Sequence, residues 1–173
     1  MKKAANFVGF QIGWWASVLA AAGDYSWLGP MVVLVLLVAH LRAVQDRLNE
    51  VRLILCAGIL GVAIDSVLHL WGVLMFHEGP GPSWLPPPWL IGVWLIFATT
   101  LRWSLSWLEA YPKLAALLGG IVGPFSYYGG ARLGALWIGD PLFHSLLVLA
   151  VTWSLLMPVL FVCSRYISSH RSA

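Results

Sequence analysis

The chain is short of charge. Ten of its 173 residues are Lys or Arg and seven are Asp or Glu, a proportion well below the roughly one quarter carried by soluble domains. With 60% apolar residues and a mean hydropathy of +0.84, that shortage excludes an ordinary water-soluble domain and points to an integral membrane protein. Cysteine is also scarce. Cys56 and Cys163 stand alone, which excludes a disulfide framework and a paired CxxC zinc site, and both are expected to remain free thiols. Catalytic signatures are missing as well: there is no GxSxG elbow, no HExxH pair, no set of histidine boxes and no phosphate-binding loop. The glycines near residue 120 follow no strand and so form no dinucleotide fingerprint. Basic residues stand singly rather than in a patch, which argues against nucleic-acid binding. No cofactor and no metal are expected.

What the sequence does hold is a succession of apolar runs of roughly 17 to 25 residues, lengths that span about 30 Å of hydrocarbon. They predict an all-α fold, a single integral membrane domain over residues 1–173 with six transmembrane helices near 6–22, 28–44, 53–76, 89–107, 114–130 and 141–163. The first run, behind Lys2 and Lys3 and ending Ala20-Ala21-Ala22, is readable as a cleaved leader; its length and its Asn6, Gln11, Trp14 and Trp15 favour a retained helix. Residues 41–52, LRAVQDRLNEVR, form the one charged linker of any length and suit an interfacial extension of helix 2 or 3. Residues 77–88 hold five of the ten prolines, predicting a stiff loop. With the N-terminus inside, Lys2, Lys3, Arg42, Arg47, Arg52, Arg102, Lys113, Arg165 and Arg171 fall on the cytoplasmic side and only Arg132 outside, so both termini are expected to be cytoplasmic. Trp27, Trp71, Trp84, Trp89 and Trp137 then lie near the outer boundary, and Trp103, Trp107 and Tyr111 near the inner one.

The stretch Leu117–Gly134, LLGGIVGPFSYYGGARLG, is apolar yet holds six glycines and a proline. Pro124 lacks an N–H and crowds the carbonyl four residues back, which predicts a helix 5 broken at Gly123-Pro124. Freed backbone groups would need neighbouring helices or a small polar cavity. Gly119 with Gly123, and Gly130 with Gly134, also have the small-xxx-small spacing of closely packed helices.

Asp65 lies thirteen residues beyond Arg52, roughly 20 Å into the membrane at 1.5 Å per residue. A charge there costs about 2.5–3.5 kcal/mol on insertion scales, so the side chain should face the interior and have a partner. His69 follows at i+4, on the same helix face, where the carboxylate would fix its tautomer or share its proton. Ser126 and Tyr127 reach a similar depth on helix 5, and Thr99 and Thr100 come near mid-membrane on helix 4.

The expectation is a polar, ligand-binding pocket in the outer half of the bundle, made by Asp65, His69, Thr99, Thr100, Ser126 and Tyr127 beside the break. One use is to bind or carry a small or lipidic ligand. The alternative is an intramembrane enzyme or accessory factor of lipid modification, with Asp65 and His69 as acid/base pair and Tyr127 or Ser126 assisting. A purely structural hydrogen-bond network is the plainer reading of the same residues. Membrane lipids and a small lipidic ligand are the partners expected, and nothing in the sequence specifies an oligomer. Asp24, His77, Glu78, Arg132, Asp140 and His144 read as solvated loop charges, and His40 as a satisfied or snorkelling histidine.

Gly123-Pro124-Phe125-Ser126-Tyr127, Gly130, Leu133-Gly134, Pro88-Trp89-Leu90 and Phe97-Ala98-Thr99-Thr100-Leu101 together resemble a family of short bacterial polytopic inner-membrane proteins classed as a domain of unknown function. The resemblance covers nearly the whole chain, including the paired aromatics of helix 1 and the Asp of helix 3. It implies a compact multi-helix bundle in the bacterial inner membrane. Its genes neighbour cyclopropane-synthase-like and other lipid-modifying genes, which tilts the expected task toward membrane lipids. It implies no catalytic residue.

Overall fold

Long apolar runs punctuated by prolines and glycines fold into six α-helices, α1 (Lys2–Ala22), α2 (Leu28–Ala43), α3 (Arg47–Leu70), α4 (Pro88–Arg102), α5 (Pro112–Arg132) and α6 (Leu142–Ser169). The computed structural model describes residues 2–23, 25–77 and 81–169. Asp24 and Glu78, read above as solvated loop charges, and Arg171, expected on the cytoplasmic side, lie outside the described residues. α3 starts earlier than expected because Asp46 caps it, accepting from the Asn49 backbone N–H at 3.4 Å and from Asn49 Nδ2 at 3.0 Å. Pro88 and Pro112 open α4 and α5, where a missing N–H costs nothing. α4 ends at Arg102, short of the expected 107, and a 3-10 turn over Ser106–Ala110 follows.

α3 and α5 end in the same way. At the end of α3 the Gly72 N–H reaches the His69 carbonyl at 2.9 Å and the Val73 N–H reaches the Leu68 carbonyl at 2.9 Å. At the end of α5 the Gly134 N–H reaches Ala131 at 3.1 Å and the Ala135 N–H reaches Gly130 at 3.0 Å. Both are Schellman endings, and both need φ above zero at the residue past the cap, which is +71° at Gly72 and +90° at Gly134. The chain leaves each ending into a two-residue strand. β1 (Leu74–Met75) pairs antiparallel with β2 (Trp137–Ile138), Leu74 opposite Ile138 and Met75 opposite Trp137. This ribbon joins two loops that sequence reasoning left unconnected.

α4 lies at the centre, with α1, α2 and α3 packed on it, while α5 packs along α6 and α6 also meets α3. No comparable packing joins α1 to α5 among the described residues. Polar contacts gather helix ends at one pole: Ser104 Oγ donates to Asn6 Oδ1 at 2.8 Å, His40 Nε2 lies 2.7 Å from Glu50 Oε1, and Arg165 Nε lies 3.4 Å from Glu109 Oε1. The pole opposite carries the ribbon.

Two corrections concern the helices themselves. α5 is continuous from Pro112 to Arg132 with Pro124 inside it, so the expected break at Gly123-Pro124 is absent. One proline removes one rung of the ladder, and the remaining rungs hold because the turns around it are clamped against α6; Pro158 sits inside a continuous α6 in the same way. The second concerns length. α3 and α6 are long and apolar enough to cross a membrane, whereas α2 and α4, at 16 and 15 residues, are shorter than the runs expected of them.

Candidate functional site

The polar centre of the protein forms where three helices meet. Gly61 on α3 lacks a side chain just where the Trp94 ring of α4 lies, and any Cβ there would overlap the indole. Trp94 therefore reaches across α3, and its Nε1 donates to Asp65 Oδ2 at 2.6 Å. The Tyr127 hydroxyl of α5 donates to Asp65 Oδ1 at 2.7 Å. Asp65 is 0% exposed, and a hydrogen bond of this kind contributes about 0.5–1.5 kcal/mol. The other face of Trp94 stacks on Trp153 of α6, centroids 5.1 Å apart and planes at 8°. Trp153 in turn lies over Gly123 of α5, where a Cβ would overlap its ring. Two indoles are thus held between a glycine of α3 and a glycine of α5.

The structure brings Asp65 and Tyr127 together but disperses the other residues expected with them. His69 Nδ1 lies 2.8 Å from the Leu74 carbonyl and Nε2 lies 2.9 Å from the Ser83 carbonyl. With both His69 ring nitrogens directed at backbone carbonyls, His69 and Asp65 form no hydrogen-bonded acid/base pair. His69 instead holds the following loop. Ser126 Oγ accepts from Trp14 Nε1 at 3.0 Å, facing α1 rather than α3. Thr99 Oγ1 accepts from Asn6 Nδ2 at 3.0 Å and donates to the Ile96 carbonyl at 2.8 Å, and Thr100 donates to the Phe97 carbonyl at 2.6 Å. Both threonines lie about 7–9 Å along α4 from Trp94, at 1.5 Å per residue, and so outside the Asp65 layer.

Between α1 and α5 runs a cleft of about 510 Å³, floored by α4 and by Trp153 and Met157 of α6. It follows α4 from Trp89 to Thr100, about 16 Å at 1.5 Å per residue, and continues to Leu108 in the 3-10 turn. Phe10, Trp14, Trp94, Phe97, Tyr127 and Trp153 are among the aromatic side chains on its walls, and among the described residues no charged one lines it. Of the expected site residues, Thr100, Gly123, Ser126 and Tyr127 line the cleft; Asp65, His69, Thr99 and Pro124 do not. Asp65 stands behind the wall as a positioning group, holding the Tyr127 hydroxyl and the Trp94 indole. Among the described residues, the Trp14–Ser126 hydrogen bond is the one side-chain hydrogen bond between α1 and α5, beside exposed Phe7, Trp15, Val122 and Phe125.

Sequence reasoning missed Trp14, Trp94 and Trp153 as site residues, having placed weight on titratable groups; the readable signal was glycine at 61 and 123, each facing an indole. It also missed Glu50, which is 1% exposed between His40 and Arg102, whose Nη1 lies 3.5 Å from Glu50 Oε2 while Nη2 donates to Ser168 Oγ. This charged knot joins α2, α3, α4 and α6 at the pole away from the ribbon. Among the described residues no group of three or more His, Cys, Asp or Glu side chains is placed to hold a metal ion.

Residues 3–159 match the family model described as protein of unknown function, DUF2878. The chain belongs to this family. No curated protein and no solved structure matches it. The DUF2878 match takes in every residue of the cleft, from Phe7 to Met157, together with Asp65 behind it and the Glu50–Arg102 pair. It stops before Ser168.

Proposed function

We propose that this DUF2878 protein is a multi-pass membrane protein whose six helices all span the bilayer, and that it holds a lipidic molecule in the cleft between α1 and α5. Large apolar side chains are exposed on five of the six helices, among them Val8, Val35, Ile59, Val122 and Leu155. In water they would form patches far larger than soluble monomers carry; in a bilayer they face acyl chains. α4, the central helix, exposes none. The basic residues near the pole that carries Glu50 support cytoplasmic termini, in keeping with the positive-inside pattern. Exposed Trp27, Trp71, Trp84 and Trp137 toward the ribbon pole, and Trp107 and Tyr111 toward the other, suit interfacial belts.

The observation that carries the ligand reading is the cleft itself: about 510 Å³, within the roughly 300–1,000 Å³ of small-molecule sites, uncharged throughout and open at the side among bilayer-facing residues. Such a slot favours a hydrocarbon chain lying along the helices over any water-borne metabolite. The test is native mass spectrometry of the protein released from lipid nanodiscs. A lipid of defined mass should survive delipidating washes, and Val122→Trp, which fills the mouth from an exposed position, should reduce its retention at least severalfold. Protein that emerges free of lipid and takes none back overturns the reading.

A further inference from the structure

Hydrogen-bond accounting inside the cleft narrows what it takes. Several polar atoms on its walls are committed within the protein: Trp94 Nε1 to Asp65, Trp14 Nε1 to Ser126, Thr100 Oγ1 to the Phe97 carbonyl and Ser104 Oγ to Asn6. Among the groups that retain capacity, three non-indole side chains stand beside the Trp14–Ser126 bond. Tyr127 gives its one proton to Asp65, so its oxygen can only accept from anything further. Ser126 receives the Trp14 N–H and keeps its own O–H to donate. Gln11, one turn before Trp14 on α1, lines the cleft half-buried, with neither its carbonyl nor its amide hydrogens bonded to any of the described residues. These groups make an uncharged polar belt with apolar wall on either side, Trp89 and Leu136 toward the ribbon, Leu105 and Leu108 toward the other pole.

We infer that the cleft takes a neutral lipid alcohol, its hydroxyl seated at the Gln11–Ser126–Tyr127 belt and its chain lying along α4. This rests on the lipid-binding reading above and adds the head group. An alcohol donates and accepts through one oxygen, which matches a belt offering both. An alkane would leave the Gln11 amide unpaired in an apolar slot. A phosphate or carboxylate would sit there without a cation, since none lines the cleft and Arg102 is engaged with Glu50 and Ser168.

The experiment is photolabelling of the protein in nanodiscs with three matched diazirine probes, hexadecanol, hexadecane and hexadecyl phosphate, followed by peptide mapping. The alcohol should label peptides of residues 7–18 and 118–130 more strongly than either other probe. Gln11→Leu and Ser126→Ala should each lower alcohol labelling by about fivefold, the worth of roughly one hydrogen bond, with alkane labelling unchanged. Thermal unfolding of each variant identifies any that fails to fold, in which case the other carries the test. Equal labelling by alcohol and alkane, indifferent to both variants, overturns the alcohol assignment and leaves the lipid cleft standing; strongest labelling by the phosphate overturns it too. Absence of all three probes from these peptides overturns the lipid-binding reading itself.

Discussion

α5 meets its two neighbours on opposite terms. Toward α6 it presents Gly119, Gly120 and Gly123, and the space where their Cβ atoms would lie is taken by the Trp153 carbonyl, the Ser154 side chain and the Trp153 ring. Toward α1 it faces Phe10, Trp14 and Trp15 across a cleft, with the Trp14–Ser126 bond between them. Glycine lets one interface close to backbone contact, and bulky aromatics prop the other open. The glycines that suggest a broken helix are thus the means by which an unbroken one is clamped. The openness lies beside them, toward the face that carries Ser126.

The strongest way to break this contrast is to add bulk on the closed side. Gly123→Leu forces Trp153 out of its stack with Trp94, and overpacking of this kind should cost about 3 kcal/mol or more, read as a large fall in the thermal unfolding midpoint in detergent; a variant as stable as the parent would refute the close packing. Asp65→Ala comes next. It strands the Trp94 N–H and the Tyr127 O–H in the interior at a cost of about 2–4 kcal/mol, and Asp65→Asn, which keeps one acceptor, should lose distinctly less in the same measurement. The open side should be the most tolerant. Trp14→Phe keeps a ring on the wall and loses the bond to Ser126, a change of about 1 kcal/mol; a loss as large as that of Gly123→Leu would mean that the two faces of α5 are equally closed.

Much of this arrangement was legible before any coordinates. The all-helical fold follows from the apolar runs, and counting 1.5 Å per residue along two helices places Tyr127 level with Asp65. Such counting fails where the chain turns back. α4 runs opposite to α3, so the residue level with Asp65, five residues before the end of α3, is Trp94, six residues into α4; Thr99 and Thr100 lie deeper. His69 was misplaced for a related reason. It occupies the last turn of α3, where the carbonyls of Leu74 and Ser83 fold back on it, and a helical spacing of four says nothing about loop carbonyls that compete for the ring. The ribbon was invisible because two residues on each side carry no alternation to read, although Gly72 and Gly134 did mark both places where helices end.

The ribbon has a bearing on how anything enters. By fastening the loop after α3 to the loop after α5, it works as a clasp over the two helices that hold Asp65 and Tyr127, and Leu136, next to β2, stands at that end of the cleft. Traffic from the clasped pole would have to part those helices. Among the described residues, parting α1 from α5 disturbs a single side-chain hydrogen bond, so under the proposed membrane reading the doorway would face the plane of the bilayer rather than the water on either side.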